Sequence, residues 1–288
     1  MTRYILQRLA LLPLLMGFVP AQVAGVEEIV LVTPPRRDGT IHPAILATAG
    51  MLGAKTIFKV GGAQAIAALA YGTKTIPKVD KIFGPGNIWV TLAKKVVYGD
   101  VGIEGLYGPS EGAILADEEA DPRLVAADLL AQAEHMNDSP VFLVTPAKGL
   151  VARVQAELEK QLRRLPRKKV ARESLERYGA MVVTSDIDEG VEVVNELAAE
   201  HAQVCTREPF ALLSKIRNAG AIFLGYSSPV PLGDYVIGPS HWLPTGRTAR
   251  FSSGLGTMDF MKRSSVVFAS QEAVAEHARG VSGVQVAK

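Results

Sequence analysis

A glutamine and a histidine near the middle of the chain have the residue types and spacing of a metal-binding pair. Gln132 and His135 lie three residues apart in the segment DLLAQAEHMND, so on a helix they share one face. An amide oxygen and a neutral imidazole beside a carboxylate can bind a metal ion, although glutamine is an uncommon zinc ligand. The alternative is a polar pair on the surface of a helix, and these two residues alone do not exclude it.

A second candidate is the adjacent carboxylate and imidazole of Glu200 and His201, which follow a predicted helix at Asp188–Leu197. Neighbours in sequence do not face one another on a helix, but at its end both side chains can point into a cleft. Histidine titrates near neutral pH and a nearby carboxylate tunes it, so the pair suits acid–base chemistry. The alternative is a histidine that interacts with the C-terminal end of the helix dipole, which the pattern alone favours.

A third candidate is a loop marked by glycines and prolines, residues 233–246, in which Asp234 and His241 lie seven residues apart. Functional side chains often lie on such loops, so Asp234 is a candidate metal ligand and His241 a candidate substrate contact. The alternative is a structural loop with an ordinary aspartate turn residue. We assign no role to Cys205, which is typical of a small buried side chain, or to His42, which can cap or pack.

Two glycine turns each follow a predicted strand and precede a predicted helix. Gly61-Gly62 leads to Gln64, and Gly84-Pro85-Gly86 leads to Asn87. Glycine lets the backbone approach a ligand, and the N-terminus of the next helix favours a phosphate, so a nucleotide could bind at these strand ends. The second turn does not complete a GxGxxG motif, and no ribose-binding acid lies at the expected distance. Glycines that only form tight turns are therefore the open alternative.

The composition narrows the classes of protein to consider. The chain has 288 residues, 48% hydrophobic and 21% charged, with a net charge of +2, so it forms one large domain or two and nucleic acid is not the expected partner. One cysteine excludes an internal disulfide and a cysteine-rich zinc site, and it suits a cytoplasmic setting. A histidine-based site must draw on only five histidines.

The first nineteen residues are mostly apolar and contain two early arginines. Small residues follow this run, as in a secretory signal. Pro13 interrupts the run, which is too short for a membrane span. The alternative is a buried helix or strand that leads into the next strand.

Apolar strands alternate with glycine turns and helices along most of the chain, a pattern typical of parallel sheets with crossover helices. We therefore predict an α/β fold with two parallel-sheet domains of Rossmann type, residues 1–107 and 108–262, followed by a C-terminal helical segment at 263–288. The expected boundary lies near Gly105–Pro109. The predicted strands are Glu28–Val32, Thr56–Val60, Lys81–Phe83, Gly112–Ala116, Val141–Val144, Ala180–Val183 and Ala221–Leu224.

Six segments, in a fixed order over about residues 15–270, resemble the histidinol dehydrogenase family. The set is far more specific than any one of its members. The sulfopropanediol dehydrogenases share most of these motifs and are the alternative within the family. The segments are VGGAQAIAALAYGT, PKVDKIFGPGN, GPSE, DLLAQAEH, AAEH and GDYVIGPSHWLPTGRTARFSSGL.

The resemblance implies a zinc-dependent enzyme that oxidises L-histidinol to L-histidine through the aldehyde, reducing two NAD molecules, as the last step of histidine biosynthesis. It also implies a cytoplasmic homodimer with shared active sites and no nucleic-acid or membrane partner. Its implied site residues are the zinc ligands Gln132, His135 and Asp234, the acid–base pair Glu200 and His201, the NAD contacts Gln64 and Asn87, and the substrate contacts Ser110, Gln132, His135, His201, Asp234 and His241.

The sequence departs from the family pattern at both ends. The family has an N-terminal portion before the equivalent of Leu15, with an NAD-contacting tyrosine, whereas residues 1–14 resemble the start of a transport permease. The family closes with EGLxxHA, whose Glu and His complete the partner's site. Glu272 and His277 have that spacing but better match the preceding helix. We therefore expect a truncated or fused product in which the second domain is incomplete relative to the family.

Two smaller departures are Ser240, where Asn is usual, and Ala199, where Pro is usual. Three zinc ligands without the fourth are expected to bind metal more weakly, and a missing part of a domain leaves apolar faces uncovered. A poorly active or inactive homologue is therefore the alternative to a working enzyme.

Overall fold

The structure is a computed structural model that describes residues 14–238 and 240–285. The predictions of a secretory signal or a fused leader fall mainly on residues 1–13, which lie outside these ranges. Within the described ranges, no helix combines the length and the apolar character needed to cross a membrane.

From residue 14 onward, the N-terminal half contains two small parallel sheets and four helices. β1 pairs with β2, and β3 pairs with β4. Ile66 and Leu69 of α3 pack with Ile82 of β3 and Val97 of α4 in one apolar cluster. The elements in order are α1 (residues 14–23), β1 (Val30–Val32), α2 (Pro43–Met51), β2 (Thr56–Phe58), α3 (Gly62–Tyr71), β3 (Lys81–Ile82), α4 (Ile88–Val97) and β4 (Gly102–Ile103).

The C-terminal half is built on a five-stranded parallel sheet with the strand order β7-β6-β5-β8-β9. Crossover helices connect these strands, as parallel pairing requires. The elements are β5 (Gly112–Ala116), α5 (Pro122–Ala133), β6 (Val141–Thr145), α6 (Lys148–Leu162), α7 (Lys168–Tyr178), β7 (Gly179–Val183), α8 (Ile187–Leu197), β8 (His201–Cys205), α9 (Pro209–Leu213), β9 (Ala221–Leu224), α10 (Val230–Leu232) and α11 (Gln271–Gln285).

Helices cover both faces of the central strands, because successive side chains of a strand point in opposite directions. Ile114 of β5 packs with Leu129 of α5 and Leu150 of α6. Its neighbour Leu115 packs on the other face with Val191 of α8. The strands are therefore apolar throughout, which is the pattern expected of a parallel sheet covered on two sides.

The central strand β8 is the main element that the sequence pattern did not predict. The expectation placed Glu200 and His201 directly after the helix Asp188–Leu197, and α8 does end at Leu197. Ala198 closes the helix in the left-handed region, with a φ of 48°, and turns the chain into the strand. What the expectation missed is that His201 is the first residue of β8, because the buried polar residues of the strand mask its β character.

The segment after β9 packs against both halves of the molecule. Trp242 lies with its ring centroid 6.1 Å from that of Phe83, and a side chain at Gly17 would clash with the same two rings. The Gly108 amide donates to Thr245 Oγ1 over 2.6 Å. Residues 261–270 form neither helix nor strand. The C-terminal helical segment, predicted to begin at residue 263, therefore begins only at Gln271.

The predicted class, an α/β fold with parallel sheets, is confirmed. Among the described residues, the five-stranded sheet lies in the second half and the first half holds two two-stranded sheets. That the second domain is incomplete relative to the family stays a prediction. The domain limits of 107 and 262 stay a prediction.

A buried ion pair joins three parts of the N-terminal half. Lys94 of α4 lies 2.8 Å from Glu104, and their side chains are 2% and 0% exposed. Both also bind the turn after β3, because Lys94 Nζ donates to the Gly84 carbonyl and the Gly84 amide donates to Glu104 Oε1. Burial lowers the pKa of Lys94 and raises that of Glu104, so each charge depends on the other.

We predict that Lys94→Ala lowers the free energy of unfolding by about 3–5 kcal/mol, because it leaves a buried carboxylate without its cation. The control Lys160→Ala removes an exposed pair with Glu157 and should change that energy by less than about 1 kcal/mol. Urea denaturation measures both. A double variant, Lys94→Met with Glu104→Leu, should recover most of the loss; equal stability of Lys94→Ala and Lys160→Ala would contradict the prediction.

Candidate functional site

The candidate catalytic residues gather at the amino ends of the central strands of the five-stranded sheet. Ser110 and Glu111 precede β5, Glu200 precedes β8 and His201 begins it. His135 follows the C-terminal end of α5 at the same edge. In open α/β sheets, ligands usually bind at the carboxyl ends of the strands. The candidate residues of this sheet lie at the opposite edge, where helix C-termini favour cations.

A chain of hydrogen bonds crosses three segments at this edge. Gln132 Nε2 donates to Ser110 Oγ over 2.6 Å, and Ser110 Oγ donates to Glu200 Oε2. Gln132 can approach because Gly112 has no side chain; a Cβ there would lie 2.8 Å from Gln132 Cγ. These two hydrogen bonds hold the Glu200 carboxyl in a fixed place.

Glu200 and His201 are both buried, with exposures of 7% and 6%. His201 Nδ1 lies 3.7 Å from Glu200 Oε2, and neither ring nitrogen has a hydrogen-bond partner among the described residues. Burial raises the pKa of Glu200 to about 8, with the Ser110 hydrogen bond acting against it. Burial lowers the pKa of His201 to about 4. At neutral pH this imidazole is therefore uncharged and has a free lone pair.

Electrostatic interactions connect His135, Asp234 and His241 with one another. His135 lies in the turn after α5 rather than on the helix, so the expected shared helix face with Gln132 was wrong. The Asp234 carboxyl interacts electrostatically with His135 and with His241. His135 and His241 also act on the imidazole of His201. The structure therefore brings together the site residues that the sequence scattered over about a hundred positions.

Asp234 is carried by a short irregular helix. The expected loop contains a π-helical turn, Gly233–Ile237, directly after α10, and such turns are frequent at functional sites. Burial raises the pKa of Asp234, and the two nearby histidines oppose that rise. His241 follows the turn, and its Nε2 is buried without a hydrogen-bond partner in the part of the chain described.

The ligand set predicted for a metal contains one amide, one imidazole and one carboxylate. Across residues 14–238 and 240–285, no three His, Cys, Asp or Glu side chains form a group that could hold a metal. Only His135 and Asp234 of the predicted set belong to those four residue types, so the zinc ligands stay a prediction. Gln132 Nε2 donates to Ser110, so its carbonyl oxygen is the atom left for a cation.

Gln64 and Asn87 lie at the carboxyl ends of β2 and β3, as predicted, and both are exposed. Asn87 Oδ1 caps α4 by accepting from the amides of Trp89 and Val90, which leaves its NH2 group available. Gly62 has a φ of 74°, and a Cβ there would lie 2.9 Å from Gln64 Oε1. Their contact with NAD stays a prediction.

Other residues of the site were missed by the sequence reasoning. Glu111 Oε1 accepts from the Gly246 amide over 3.0 Å, and its Oε2 is buried without a partner within the described ranges. Gln203 donates to Asp128 Oδ2 over 2.7 Å. A signal existed for the last two, because Asp128 stands four positions before Gln132 on a helix and Gln203 two positions after His201 on a strand.

The two side chains that received no role behave as expected. Cys205 is 3% exposed, and burial raises the pKa of its thiol to about 12. His42 caps α2, because its Nδ1 accepts from the Ala44 amide over 3.2 Å. Neither residue contributes to the site.

A family model and individual relatives of known sequence indicate the same protein family for this chain. The sequence pattern of the family described as histidinol dehydrogenase matches residues 7–286, a wider span than the 15–270 expected. The histidinol dehydrogenase of Halalkalibacterium halodurans is 54% identical over 94% of this chain and 64% of its own length. That of Geobacillus kaustophilus is 56% identical over 91% of this chain and 62% of its own length.

A solved structure agrees with the sequence relatives. The crystal structure of histidinol dehydrogenase from Elizabethkingia anophelis matches with a TM-score of 0.91 and 40% identity, over 96% of this chain and 64% of that one. The chain therefore spans less than two thirds of the length of these relatives.

We predict that Gly112→Ala lowers the free energy of unfolding by about 1–3 kcal/mol, because the new Cβ overpacks against Gln132. Gly149→Ala is the matched control. Its Cβ meets only the end of Arg153 at 3.4 Å, and in a helix the change should stabilise by about 0.5–1 kcal/mol. Urea denaturation of both variants tests the difference. Adding Gln132→Ala should relieve the first loss; equal effects of the two glycine changes would contradict it.

Proposed function

The chain belongs to the histidinol dehydrogenase family, and from that membership we propose that it oxidises L-histidinol to L-histidine through the aldehyde, with reduction of two NAD molecules. This reaction is the last step of histidine biosynthesis. The proposal includes a zinc ion in each subunit, a cytoplasmic setting and a homodimer with shared active sites. Because the chain spans less than two thirds of its relatives' length, the activity of this form is itself part of the proposal.

The main support for the proposal is the buried imidazole of His201, which lies beside the polar side chains of Glu200 and Ser110. His201 is neutral at neutral pH and has no hydrogen-bond partner within the described residues, so it can accept the proton of an alcohol. Glu200 lies next to it and is held by Ser110. Polar side chains of this kind are costly to bury unpaired, and a bound substrate would give them partners.

The available donors fit a zinc ion. We propose that Gln132, His135 and Asp234 hold it, since amide oxygen, imidazole and carboxylate are acceptable zinc ligands. The position beyond the C-terminus of α5 favours a cation. When bound, zinc supplies a positive charge that positions the amino alcohol and favours the alkoxide. The family resemblance assigns the fourth ligand to the partner subunit, which is why a homodimer belongs to the proposal.

The proposed chemistry assigns a role to each residue of the candidate site. His201 would take the hydroxyl proton of the alcohol as the carbon gives up a hydride, for which a bound NAD would be the acceptor. Once that proton has passed to solvent, the pair of His201 and Glu200 would take one proton from the water that adds to the aldehyde, and the resulting hydrate would give up the second hydride. Ser110 and Gln132 keep Glu200 in place throughout, and His241 contacts the substrate.

NAD is proposed to lie against the glycine turns of the N-terminal half, with contacts to Gln64 and Asn87. Both residues are exposed and begin helices. The first turn of α3 has no side-chain cap and presents amides that suit the phosphates of a dinucleotide. The amide NH2 of Asn87 is free to donate, because only its oxygen is used for capping.

The direct test is NADH formation from L-histidinol by purified chain, with and without zinc. Sulfopropanediol is the comparison substrate, because the dehydrogenases for that diol share most of the same motifs. Zinc-dependent turnover of L-histidinol alone supports the proposal. Turnover of the sulfonated diol alone assigns the related activity, and no turnover of either substrate by folded chain identifies an inactive homologue. Sedimentation measures the proposed dimer, and cell fractionation tests the cytoplasmic setting.

We predict that His201→Asn and Glu200→Gln each reduce kcat for NADH formation by about 10²–10⁴-fold, because each removes a group that handles protons. The control His42→Gln changes a helix cap far from the site and should leave kcat unchanged. Steady-state kinetics with L-histidinol measures the effect. Full activity of His201→Asn would contradict the assigned base.

We also predict that Asp234→Asn weakens zinc binding by about tenfold or more, since even outer contacts of a metal site contribute about 10–100-fold. Asp188→Asn is the charge-matched control, because Asp188 only pairs with Lys215 on an exposed surface. Competition with a zinc-binding dye measures both affinities. Equal affinities of the two variants would contradict the role of Asp234.

A further inference from the structure

A second buried polar pair lies behind the catalytic histidine. Gln203 follows His201 by two positions on β8, so both side chains point to the same face of the sheet. Asp128 precedes Gln132 by four positions on α5, so these two also share a face. The two faces meet, because Gln203 Nε2 donates to Asp128 Oδ2 over 2.7 Å.

A small cavity lies between these four side chains. It measures about 10 Å³ and is lined by Asp128, Gln132, His201 and Gln203 together with glycine and apolar residues. This size is close to the smallest that admits one water molecule, and a water needs two or more polar partners. Gln203 is 2% exposed, and its Oε1 is buried without a hydrogen-bond partner in the described chain, as are both nitrogens of His201.

The Asp128 carboxylate fixes which way the Gln203 amide points. A carboxylate accepts hydrogen bonds and does not donate them, so the NH2 group of Gln203 must face Asp128. The amide oxygen is then the acceptor left over. A water in the cavity that donates one hydrogen to this oxygen and the other to the Asp128 carboxylate, which also lines the cavity, has only lone pairs left for His201, so it accepts from a ring N–H. One ring nitrogen is thereby held protonated and the other is left as the base.

We propose that Asp128 and Gln203 are positioning residues for the histidinol oxidation: through one water in the cavity they hold His201 in a single tautomer. This rests on the proposed function in so far as His201 is the base of that reaction. It adds two residues that touch neither substrate nor cofactor. Neutral histidine has two tautomers, and the partner of one nitrogen decides which of them is present.

The test replaces Asp128 with its neutral isostere. Asp128→Asn can either donate or accept, so Gln203 is free to turn over and the preference of His201 for one tautomer is lost. Nitrogen-15 NMR of the histidine rings, with the His201 signal assigned by His201→Asn, reports the tautomer without any substrate. We expect one tautomer in the parent chain and in the control Asp188→Asn, and a mixture or the opposite tautomer in Asp128→Asn.

Kinetics add a second readout. Asp128→Asn should lower kcat for L-histidinol by about 10–100-fold, the usual effect of losing a partner of a catalytic group, while KM stays close to that of the parent. A parent chain that shows one tautomer but no turnover would contradict the proposed function and leave the positioning role supported. An unchanged tautomer in folded Asp128→Asn would overturn the positioning role whatever the turnover.

If Asp128→Asn does not fold, a high-resolution crystal structure of the parent chain decides the question. An ordered water bonded to Gln203 Oε1 and to a ring nitrogen of His201 is the expected result. An empty cavity, or a His201 ring that binds Gln203 directly, would overturn the proposal.

Discussion

Five residues of β5 pair in parallel with five residues of β8, from Gly112 opposite His201 to Ala116 opposite Cys205. This pairing sets Ser110 and Glu111 beside Glu200, because Ser110 and Glu111 immediately precede β5 and Glu200 immediately precedes β8. The His201 amide extends the ladder by donating to the Glu111 carbonyl over 3.0 Å. The site residues that belong to these two strands are therefore placed by backbone hydrogen bonds.

Packing adds the remaining members of the site. α5 lies over β5 and β8, and the absence of a side chain at Gly112 lets Gln132 reach Ser110. The segment after β9 is anchored at Thr245 and Trp242, which sets Asp234 and His241 at the same edge. Several buried atoms here lack hydrogen-bond partners within the described residues, including nitrogens of His201 and His241. Unpaired buried groups are rare in native proteins, so their concentration at one edge marks the place where a ligand is needed.

Much of the fold follows from local sequence, while the site follows from tertiary structure. β5 has the predicted bounds, because GAILA is a continuous apolar run, and Asp121-Pro122 forms a strong start for α5. β8 was missed because His201 and Gln203 interrupt its apolar pattern with side chains that are polar and buried. His135 was placed on the helix because three-residue spacing does not reveal that α5 ends at Ala133. The contact of Ser110 with Glu200 joins positions 90 apart, which no local pattern predicts.

The short connection between α8 and β8 limits how the sequence can change in length. Only residues 198–200 separate the helix from the strand, and Ala198 already has a left-handed backbone. Surface loops usually tolerate insertions. An added residue that shifted β8 by one position would turn His201 to the opposite face of the sheet. Relatives that keep this chemistry should therefore vary in the type of residue at positions 198 and 199 but not in the length of the connection.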